Sequence, residues 1–325
     1  MSSFAGKILH KMKNTSGVEI KHLNAIVTGS NGFIGRTLSR YLLECGANVV
    51  GLGTQPAPAN LPTGLRYYQT DIIDFERLNN TIIQTHLEDP VIFHLAGQNN
   101  VGKSRTDPLF TWIVNVTGTA NLLETCRRTS IKRIVFPSTA LIYSRPTRLP
   151  IVETDAVMAN GIYASTKLAA EALIKSYSVD FGFNCCIARL GNVYGPGGAS
   201  DSVVEIILRQ VKNGGPISLR TLTSVRDFVY CEDVARGLTA LAVHANIGSC
   251  ETFNLSSGTP TSIRELVETA CLVGGLETTI IETNPFPPGG NDKLVVSIQR
   301  LKEHTGWQPV WTLESGLRQT LLEME

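Results

Sequence analysis

Six short apolar runs, separated by helical patterns, constrain the fold of this chain more than any other feature. Each run has four to eight residues and is apolar enough to be covered on both faces. They read NAIVTG, NVVGLG, LRYYQTD, PVIFHLA, KRIVFPST and NCCIARL. Strands that alternate with helices form parallel βαβ units, so the first two-thirds is predicted to be an open, doubly wound parallel α/β sheet. Right-handed crossovers place the carboxyl ends of its strands along one edge, where ligands of such sheets bind.

Composition argues against several classes of protein. The 325 residues carry 29 basic and 28 acidic side chains, so no broad basic face for nucleic acid is expected. No apolar run reaches the roughly 18 residues of a membrane span, and the N-terminal stretch lacks the apolar core of a signal peptide. We therefore expect a cytoplasmic protein. The seven cysteines form no CxxC pair and the six histidines do not cluster, which predicts reduced thiols and no metal site.

The segment VTGSNGFIG runs from the first strand directly into a helix. Gly29 permits the tight turn, Gly32 lets the backbone approach a pyrophosphate, and Gly35 lets helix and sheet pack closely. Free N–H groups at the helix start supply the anion site. Because the triplet opens a βαβ unit, it predicts dinucleotide binding. The candidate contacts in this loop are Gly29, Asn31, Gly32, Phe33, Ile34 and Gly35.

The end of the second strand leaves the choice between NAD and NADP open. An acid at this point would hold the adenosine ribose hydroxyls and select NAD. The chain has Gly53 and Thr54 there, and no arginine follows to receive a 2′-phosphate. Asp71, after the third strand, is placed to contact the adenine. A solvated carboxylate at a strand end, with no ligand, would give the same sequence pattern.

Tyr163 and Lys167 lie four residues apart on one face of the predicted helix GIYASTKLAAEALIKSYS. A nearby cation stabilises a phenolate and lowers the tyrosine pKa, which would let Tyr163 act as acid or base. Such a pair alone is usually a solvated helix face. Thr139, however, ends the fifth strand at the same edge as the glycine loop, where its hydroxyl can bind the oxygen whose proton Tyr163 exchanges. The three side chains together predict an active site.

The pattern changes after Gly195, where GPGGASDS leads into helices and short strands. We expect an N-terminal extension over 1–23, a dinucleotide-binding domain over 24–195 and a smaller α/β substrate-binding lobe over 196–325, with an interwoven boundary.

The chain resembles the extended short-chain dehydrogenase/reductase family, and within it the NAD-dependent epimerase/dehydratase group that acts on nucleotide sugars. The resemblance runs from about residue 24 to the C-terminus and lies in TGSNGFIG, DIID, FHLAGQNNVGKS, NVTGTANLLE, STALIY, YASTK, RLGNVYGPG, SVRDFVYCEDVARG and RLKEHTGWQP. It implies a Rossmann fold, NAD as cofactor with NADP not excluded, and a nucleotide-diphosphate-sugar substrate. It also implies a homodimer formed through the helices PLFTWIVNVTGTANLLETC and YASTKLAAEALIKSYS.

The resemblance assigns roles position by position. Thr139, Tyr163 and Lys167 match the family's catalytic Ser/Thr, Tyr and Lys, with Tyr163 and Lys167 also at the cofactor. Asn115 matches a helix asparagine near the nicotinamide. Further implied cofactor positions are Ile72, Leu95 and Ala96.

On the substrate side, Gln98 and Thr139 are candidates, and Asn192 and Arg226 match residues that contact the diphosphate. A guanidinium suits this role because it gives two charge-assisted hydrogen bonds to a phosphate. Without the resemblance, Arg226 and Asp227 would read as an ion pair at a surface turn.

Departures from the family pattern narrow the chemistry. Ala140 and Leu141 stand where 4,6-dehydratases carry their acid and base, and Leu141 stands where GDP-mannose 3,5-epimerase has a catalytic cysteine. Both reactions are therefore disfavoured. The arginine often found before the last helices is missing from PPGGNDKL, where Lys293 substitutes for it or no cation exists.

Three functions remain. In a nucleotide-sugar 4-epimerase, hydride leaves C4 for NAD while Tyr163 takes the hydroxyl proton and Thr139 orients the C4 oxygen; hydride then returns to the opposite face. An NAD(P)H-dependent reductase of a nucleotide 4-keto-6-deoxysugar is favoured by the missing acid at Gly53 and by HLAGQ and SVRDF. A non-catalytic dinucleotide-binding regulator is disfavoured, since the catalytic group is intact.

Overall fold

The computed structural model describes residues 20–59, 61–143, 146, 148–244, 249–283 and 293–324. Its strands are β1 (Asn24–Thr28), β2 (Asn48–Gly53), β3 (Arg66–Gln69), β4 (Val91–His94), β5 (Arg133–Thr139), β6 (Asn184–Leu190), β7 (Asn192–Tyr194), β8 (Ile217–Leu219), β9 (Val225–Tyr230), β10 (Cys250–Leu255), β11 (Pro260–Ser262), β12 (Ile280–Glu282) and β13 (Lys293–Leu294). Its α-helices are α1 (Phe33–Glu44), α2 (Phe75–Gln84), α3 (Val101–Thr106), α4 (Pro108–Trp112), α5 (Gly118–Arg128), α6 (Ile162–Phe181), α7 (Val203–Asn213), α8 (Cys231–His244), α9 (Ile263–Gly274), α10 (Gln299–Thr305) and α11 (Leu313–Glu323).

Seven parallel strands form the central sheet, in the order β10-β6-β5-β4-β1-β2-β3. All six strands predicted from the sequence lie in it, which confirms the doubly wound α/β fold. Separate apolar clusters cover the two faces of the sheet, one around Leu38 and Phe93 and the other around Leu122 and Phe136. Burial on both faces explains why these strands read as continuous apolar runs.

The C-terminal region contributes to two layers of the molecule. β10 pairs with β6 at the edge of the central sheet, and α8 packs against α1. Most of the remaining strands form a sheet in the order β11-β9-β13 with β7 beside β9, while β12 pairs with β8. The chain after residue 196 therefore builds the smaller lobe and also completes the larger sheet.

The helix predicted from the segment PLFTWIVNVTGTANLLETC is not a continuous α-helix. α4 ends at Trp112, a turn of π-helix covers Ile113–Thr117, and α5 follows. The sequence pattern missed this because contacts distant in sequence produce it, as described below. By contrast, α6 is regular from Ile162 to Phe181 and ends at Gly182, which has the left-handed backbone (φ 66°) typical of helix ends.

The predicted extension over 1–23 lies largely outside the described residues; at its end, Ile20 and Leu23 pack against the core. Within the described ranges, no helix has the length and apolarity to cross a membrane. The same ranges contain no cluster of three His, Cys, Asp or Glu side chains suited to a metal ion.

Candidate active site

The glycine-rich loop joins β1 to α1 at the carboxyl edge of the central sheet. Gly29 has φ 70°, and a Cβ there would lie 2.7 Å from Ala96 N. A Cβ at Gly35 would overlap the Gly29 carbonyl. Gly32 precedes α1 without a side-chain cap, and the first N–H groups of a helix have no partner within it. The loop thus forms a close-fitting anion site that suits the pyrophosphate of a dinucleotide.

Other predicted cofactor positions follow β3 and β4. The Asp71 carboxylate accepts a hydrogen bond from Ile73 N (3.1 Å) and closes a turn. Ile72 is only 4% exposed, and its side chain packs into the core beside Gly118. The backbone N–H of Ala96 donates to Thr28 Oγ1 (3.1 Å). Asp71 and Ala96 therefore lie at the sheet edge, whereas the Ile72 side chain faces inward.

A buried histidine connects this edge to the helix that follows. His94 Nδ1 lies 2.9 Å from Thr28 Oγ1, and His94 Nε2 lies 3.0 Å from Thr119 Oγ1. Because Thr119 donates its proton to Asn115 O (2.6 Å), Nε2 is the protonated nitrogen of His94. Burial, assisted by Lys167, lowers the pKa of His94 to about 3. His94 is thus a neutral structural link rather than a proton carrier.

Asn115 lies at the centre of the π-helical turn. Its Oδ1 accepts from Gln98 N (2.7 Å), and its Nδ2 donates to Gln98 O (2.9 Å) and to Thr166 Oγ1 (3.0 Å). The Gln98 side chain in turn binds both backbone groups of Asn100 and the hydroxyl of Thr111. Asn115 and Gln98, both predicted site residues, therefore hold the loop after β4 against α6.

The structure places two of the three predicted catalytic side chains, Thr139 and Tyr163, in contact, and the third, Lys167, one helical turn away. Thr139 ends β5 and is 7% exposed, and its Oγ1 accepts from Leu141 N (3.2 Å). Its hydroxyl lies beside that of Tyr163, near the start of α6. One turn later, Lys167 Nζ lies 4.0 Å from the centre of the Phe136 ring on β5. A strand end and a helix face thus form one group.

Ionisation in this group differs from the prediction. Burial raises the pKa of Tyr163 to about 12, and the hydrogen bond with Thr139 opposes the rise. Burial lowers the pKa of Lys167 to about 7, with Glu171 acting in the opposite direction. The expected lowering of the Tyr163 pKa by Lys167 is therefore wrong for the protein alone, since burial of the phenol disfavours its ionised form.

The positions after Thr139 are apolar and enclosed. Ala140 is 1% exposed and packs in a cluster with Ile142, Tyr143 and Leu294, with Leu141 at its margin. These two positions therefore offer no group that could transfer a proton, in agreement with the argument against dehydration.

The predicted phosphate contacts lie on two neighbouring strands of the smaller sheet. Asn192 on β7 is in register with Phe228 on β9. Since side chains two residues apart on a strand share a face, Arg226 lies on the same face as Asn192. Asp227 points the other way, is 1% exposed, and accepts hydrogen bonds from the Ser257, Gly258 and Val296 backbone N–H groups. The alternative of a surface ion pair is thus wrong, because the Asp227 carboxylate is buried and binds these N–H groups.

Lys293, the proposed substitute for the missing arginine, lies on β13. It is in register with Val225, whereas Leu294 is in register with Arg226. Strand alternation therefore directs Lys293 away from the face that carries Arg226 and Asn192.

Comparison with known proteins agrees with this geometry. Residues 25–256 match the NAD dependent epimerase/dehydratase family. The chain belongs to this family. A UDP-glucose 4-epimerase of Halalkalibacterium halodurans is 30% identical over 303 residues, covering 87% of this chain and 90% of the relative. A GDP-6-deoxy-D-mannose reductase of Pseudomonas aeruginosa is 30% identical over 309 residues, covering 92% and 96%.

Among solved structures, the UDP-glucose 4-epimerase of Thermus thermophilus in complex with NAD superposes with a TM-score of 0.82 at 29% identity, covering 93% of this chain and 98% of that one. As a member of the epimerase/dehydratase family, the chain is an NAD(P)-dependent enzyme of the nucleotide-sugar epimerase or reductase type.

Two features of the candidate site could not be predicted from the sequence. The link from Thr28 through His94 to Thr119 has no local signal, although an isolated histidine at a strand end is a hint. Tyr67 on β3 also reaches the site, since its hydroxyl lies 2.9 Å from Asn31 Nδ2 in the glycine-rich loop. Neither contact follows from spacing along the sequence.

Proposed function

We propose that this enzyme is a nucleotide-sugar 4-epimerase in which Tyr163 is the acid and base and Thr139 orients the C4 oxygen. The observation that carries the proposal is the adjacent placement of Thr139 and Tyr163, with apolar Ala140 and Leu141 in the next two positions. This arrangement supports one proton transfer at a sugar hydroxyl. It lacks, at those two positions, the second acid and base that water elimination would need.

When bound, NAD supplies a reversible hydride acceptor and, in its oxidised form, a positive charge that favours ionisation of a nearby phenol. Tyr163 takes the proton of the C4 hydroxyl and returns it after the sugar has turned over. Thr139 holds the C4 oxygen within reach of Tyr163. Lys167, with a pKa of about 7, can hold or release a proton at neutral pH and so buffers the charge beside the tyrosine.

We propose a nucleoside diphosphate sugar as the substrate. Arg226 and Asn192 share one face of the smaller sheet, and buried Asp227 fixes the backbone of β9 between them. Leu294, on the same face, packs with Ala140 behind the catalytic group. We propose a dinucleotide-binding region over 24–195 and a substrate-binding lobe over 196–325, with β10 and α8 of the second range packing with the central sheet.

We also propose a homodimer formed through α4, α5 and α6. Leu109, Phe110 and Trp112 on α4 are 68%, 49% and 47% exposed, and Val179 on α6 is 83% exposed. Large apolar side chains on adjacent helices favour a contact between two copies of the chain.

Substitution of Tyr163 by Phe tests the mechanism. A positioned acid or base contributes roughly 10²- to 10⁴-fold to rate, so Tyr163→Phe should lower kcat by about that factor with little change in KM. The assay would use UDP-glucose first and then a panel of UDP- and GDP-hexoses. Tyr177→Phe is the matched control, since Tyr177 lies on the same helix and packs on Phe181 and Phe183. Full activity of Tyr163→Phe would rule out the mechanism.

The second candidate is a reductase of a nucleotide 4-keto-6-deoxysugar, and the Pseudomonas aeruginosa relative supports it. The two can be separated by denaturing freshly purified protein and identifying any released dinucleotide by mass spectrometry and absorbance. An epimerase regenerates its cofactor in every turnover, so near-stoichiometric NAD supports the first candidate. An empty site that binds added NADPH or NADH weakly supports the second.

A further inference from the structure

The hydroxyl of Tyr67 lies at the end of β2. Gly53, where an acid would select NAD, is in register with Gln69 of β3, and Gly51 is in register with Tyr67. A Cβ at Gly53 would lie 2.7 Å from Tyr67 Oη, and one at Gly51 would lie 3.4 Å from the Tyr67 ring. Gly53 thus makes room for the tyrosine, whose hydroxyl stands beside the position that the acid would occupy; a Cβ at Gly51 would instead clash with Ser30.

The two hydrogen bonds of the Tyr67 hydroxyl leave its oxygen able to act only as an acceptor. Its hydroxyl donates to Gln55 O (2.5 Å) and accepts from Asn31 Nδ2 (2.9 Å). A phenol has one proton to donate and two lone pairs to accept with, so the oxygen can accept one more hydrogen bond and donate none. Burial raises the pKa of Tyr67, which keeps the proton in place at neutral pH. The oxygen therefore presents an acceptor, as a carboxylate would.

Two arginines near this edge are engaged elsewhere. Arg77 Nη2 donates to Gln69 O (2.7 Å), and Arg36 Nη2 lies 3.5 Å from Gly197 O. Both side chains are largely exposed, and each guanidinium donates a hydrogen bond to a backbone carbonyl. Neither contacts the hydroxyl of Tyr67 or the carbonyl of Gln55.

We propose that Tyr67 determines dinucleotide specificity by accepting a hydrogen bond from the 2′-hydroxyl of the adenosine ribose, so that the site prefers NAD to NADP without an acid on β2. In NADP a 2′-phosphate would take the place of that hydroxyl; it would bring no proton for Tyr67 to accept at neutral pH, and the neighbouring Gln55 carbonyl is another acceptor. The inference deepens the cofactor half of the proposed function and does not depend on which sugar is the substrate.

The test is direct binding of NAD and NADP to the full chain, freed of co-purified dinucleotide by treatment with activated charcoal and checked by absorbance, measured by titration calorimetry. The unsubstituted protein should bind NAD at least about tenfold more tightly than NADP. Loss of one hydrogen bond to the ligand should weaken NAD binding about fivefold to tenfold in Tyr67→Phe, with less than about a twofold change for NADP. Tyr68→Phe is the matched control, because Tyr68 packs on the opposite face of β3, in the cluster around Leu122.

Equal affinities of the unsubstituted protein for NAD and NADP would overturn the proposal, whether or not the variant folds. An unchanged ratio of the two affinities in a folded Tyr67→Phe variant would overturn it as well. Since no sugar is present in the titration, absence of epimerase activity cannot produce either result. The same titration of an Arg77→Gln variant is a further test. A selective loss of NADP affinity in this variant would assign the specificity between NAD and NADP to the arginine instead.

Discussion

Lys167 has a charge that the fold strongly disfavours. Its ammonium group lies over the Phe136 ring, and burial lowers its pKa to about 7, against about 10.4 for an unperturbed lysine. Between pH 7 and pH 10 the unfolded chain therefore binds more protons at this residue than the folded one. The folded state loses stability as the pH falls through this window, and the whole penalty is present below about pH 7.

We therefore predict that Lys167→Met raises the free energy of unfolding, and raises it more at pH 7 than at pH 10. Chemical denaturation at the two pH values measures the difference between variant and parent. Lys175→Met is the control, since Lys175 is exposed on the same helix. An equal change for Lys167→Met at both pH values would show that the ammonium group is not destabilised by burial.

The π-helical turn between α4 and α5 places Asn115 where three hydrogen bonds converge. A π-turn inside a helix often marks a functional site. Here it lets one side chain bind both the loop after β4 and α6, the helix that carries the proposed catalytic residues, through Gln98 and Thr166. The turn therefore acts as a clamp between two elements that carry the site.

We predict that Asn115→Ala lowers the free energy of unfolding by about 1–3 kcal/mol, because it leaves buried partners unsatisfied. It should also lower kcat, since the loop at Gln98 is released from α6. Thr117→Ala, at an exposed position of the same turn, should change neither quantity. Wild-type kcat in a destabilised Asn115→Ala variant would show that the clamp is purely structural.

Elements with a local cause could be predicted from the sequence. The six strands and the start of α1 follow from apolar runs and from the glycines of the loop, and all of them are observed. The π-turn could not be predicted, because it depends on partners 17 and 51 residues away from Asn115. The edge position of β10 likewise depends on pairing with β6, for which its sequence has no distinct signal.

The candidate site divides in the same way. The convergence of Thr139 with Tyr163 could be predicted, since strand ends share an edge and helix periodicity fixes a face. Their ionisation could not, because desolvation depends on the whole surroundings. The role of Tyr67 in the site could not be predicted either, since its partner Asn31 is 36 residues away.

At the scale of the whole molecule, the segment after β7 links the two lobes near the glycine-rich loop. Asn100 Nδ2 donates to Asp201 Oδ2 (2.7 Å), and Arg36 reaches Gly197 O. A Cβ at Gly198 would lie 3.8 Å from the Phe33 ring at the start of α1. The proposed substrate-binding lobe is therefore in direct contact with the proposed dinucleotide site.

The exposed face of α4 should be covered by a second copy of the chain. We predict a dimer at micromolar concentration and dissociation to monomers in Trp112→Glu, because a buried carboxylate without a partner is costly. Sedimentation velocity measures both. Leu272→Glu is the control, since Leu272 is 70% exposed on α9 in the smaller lobe. A monomeric parent protein would contradict the proposed interface.

The fate of hydrogen at C4 tests the central claim most directly. The purified protein is incubated, without added dinucleotide, with nucleotide hexoses deuterated at C4, and the products are followed by mass spectrometry and NMR. We predict interconversion of C4 epimers with the deuterium retained at C4, since hydride leaves and returns within one site. No epimer from any UDP- or GDP-hexose, together with stoichiometric oxidation of NADH or NADPH by a nucleotide 4-keto-6-deoxysugar, would contradict the epimerase account and identify a reductase.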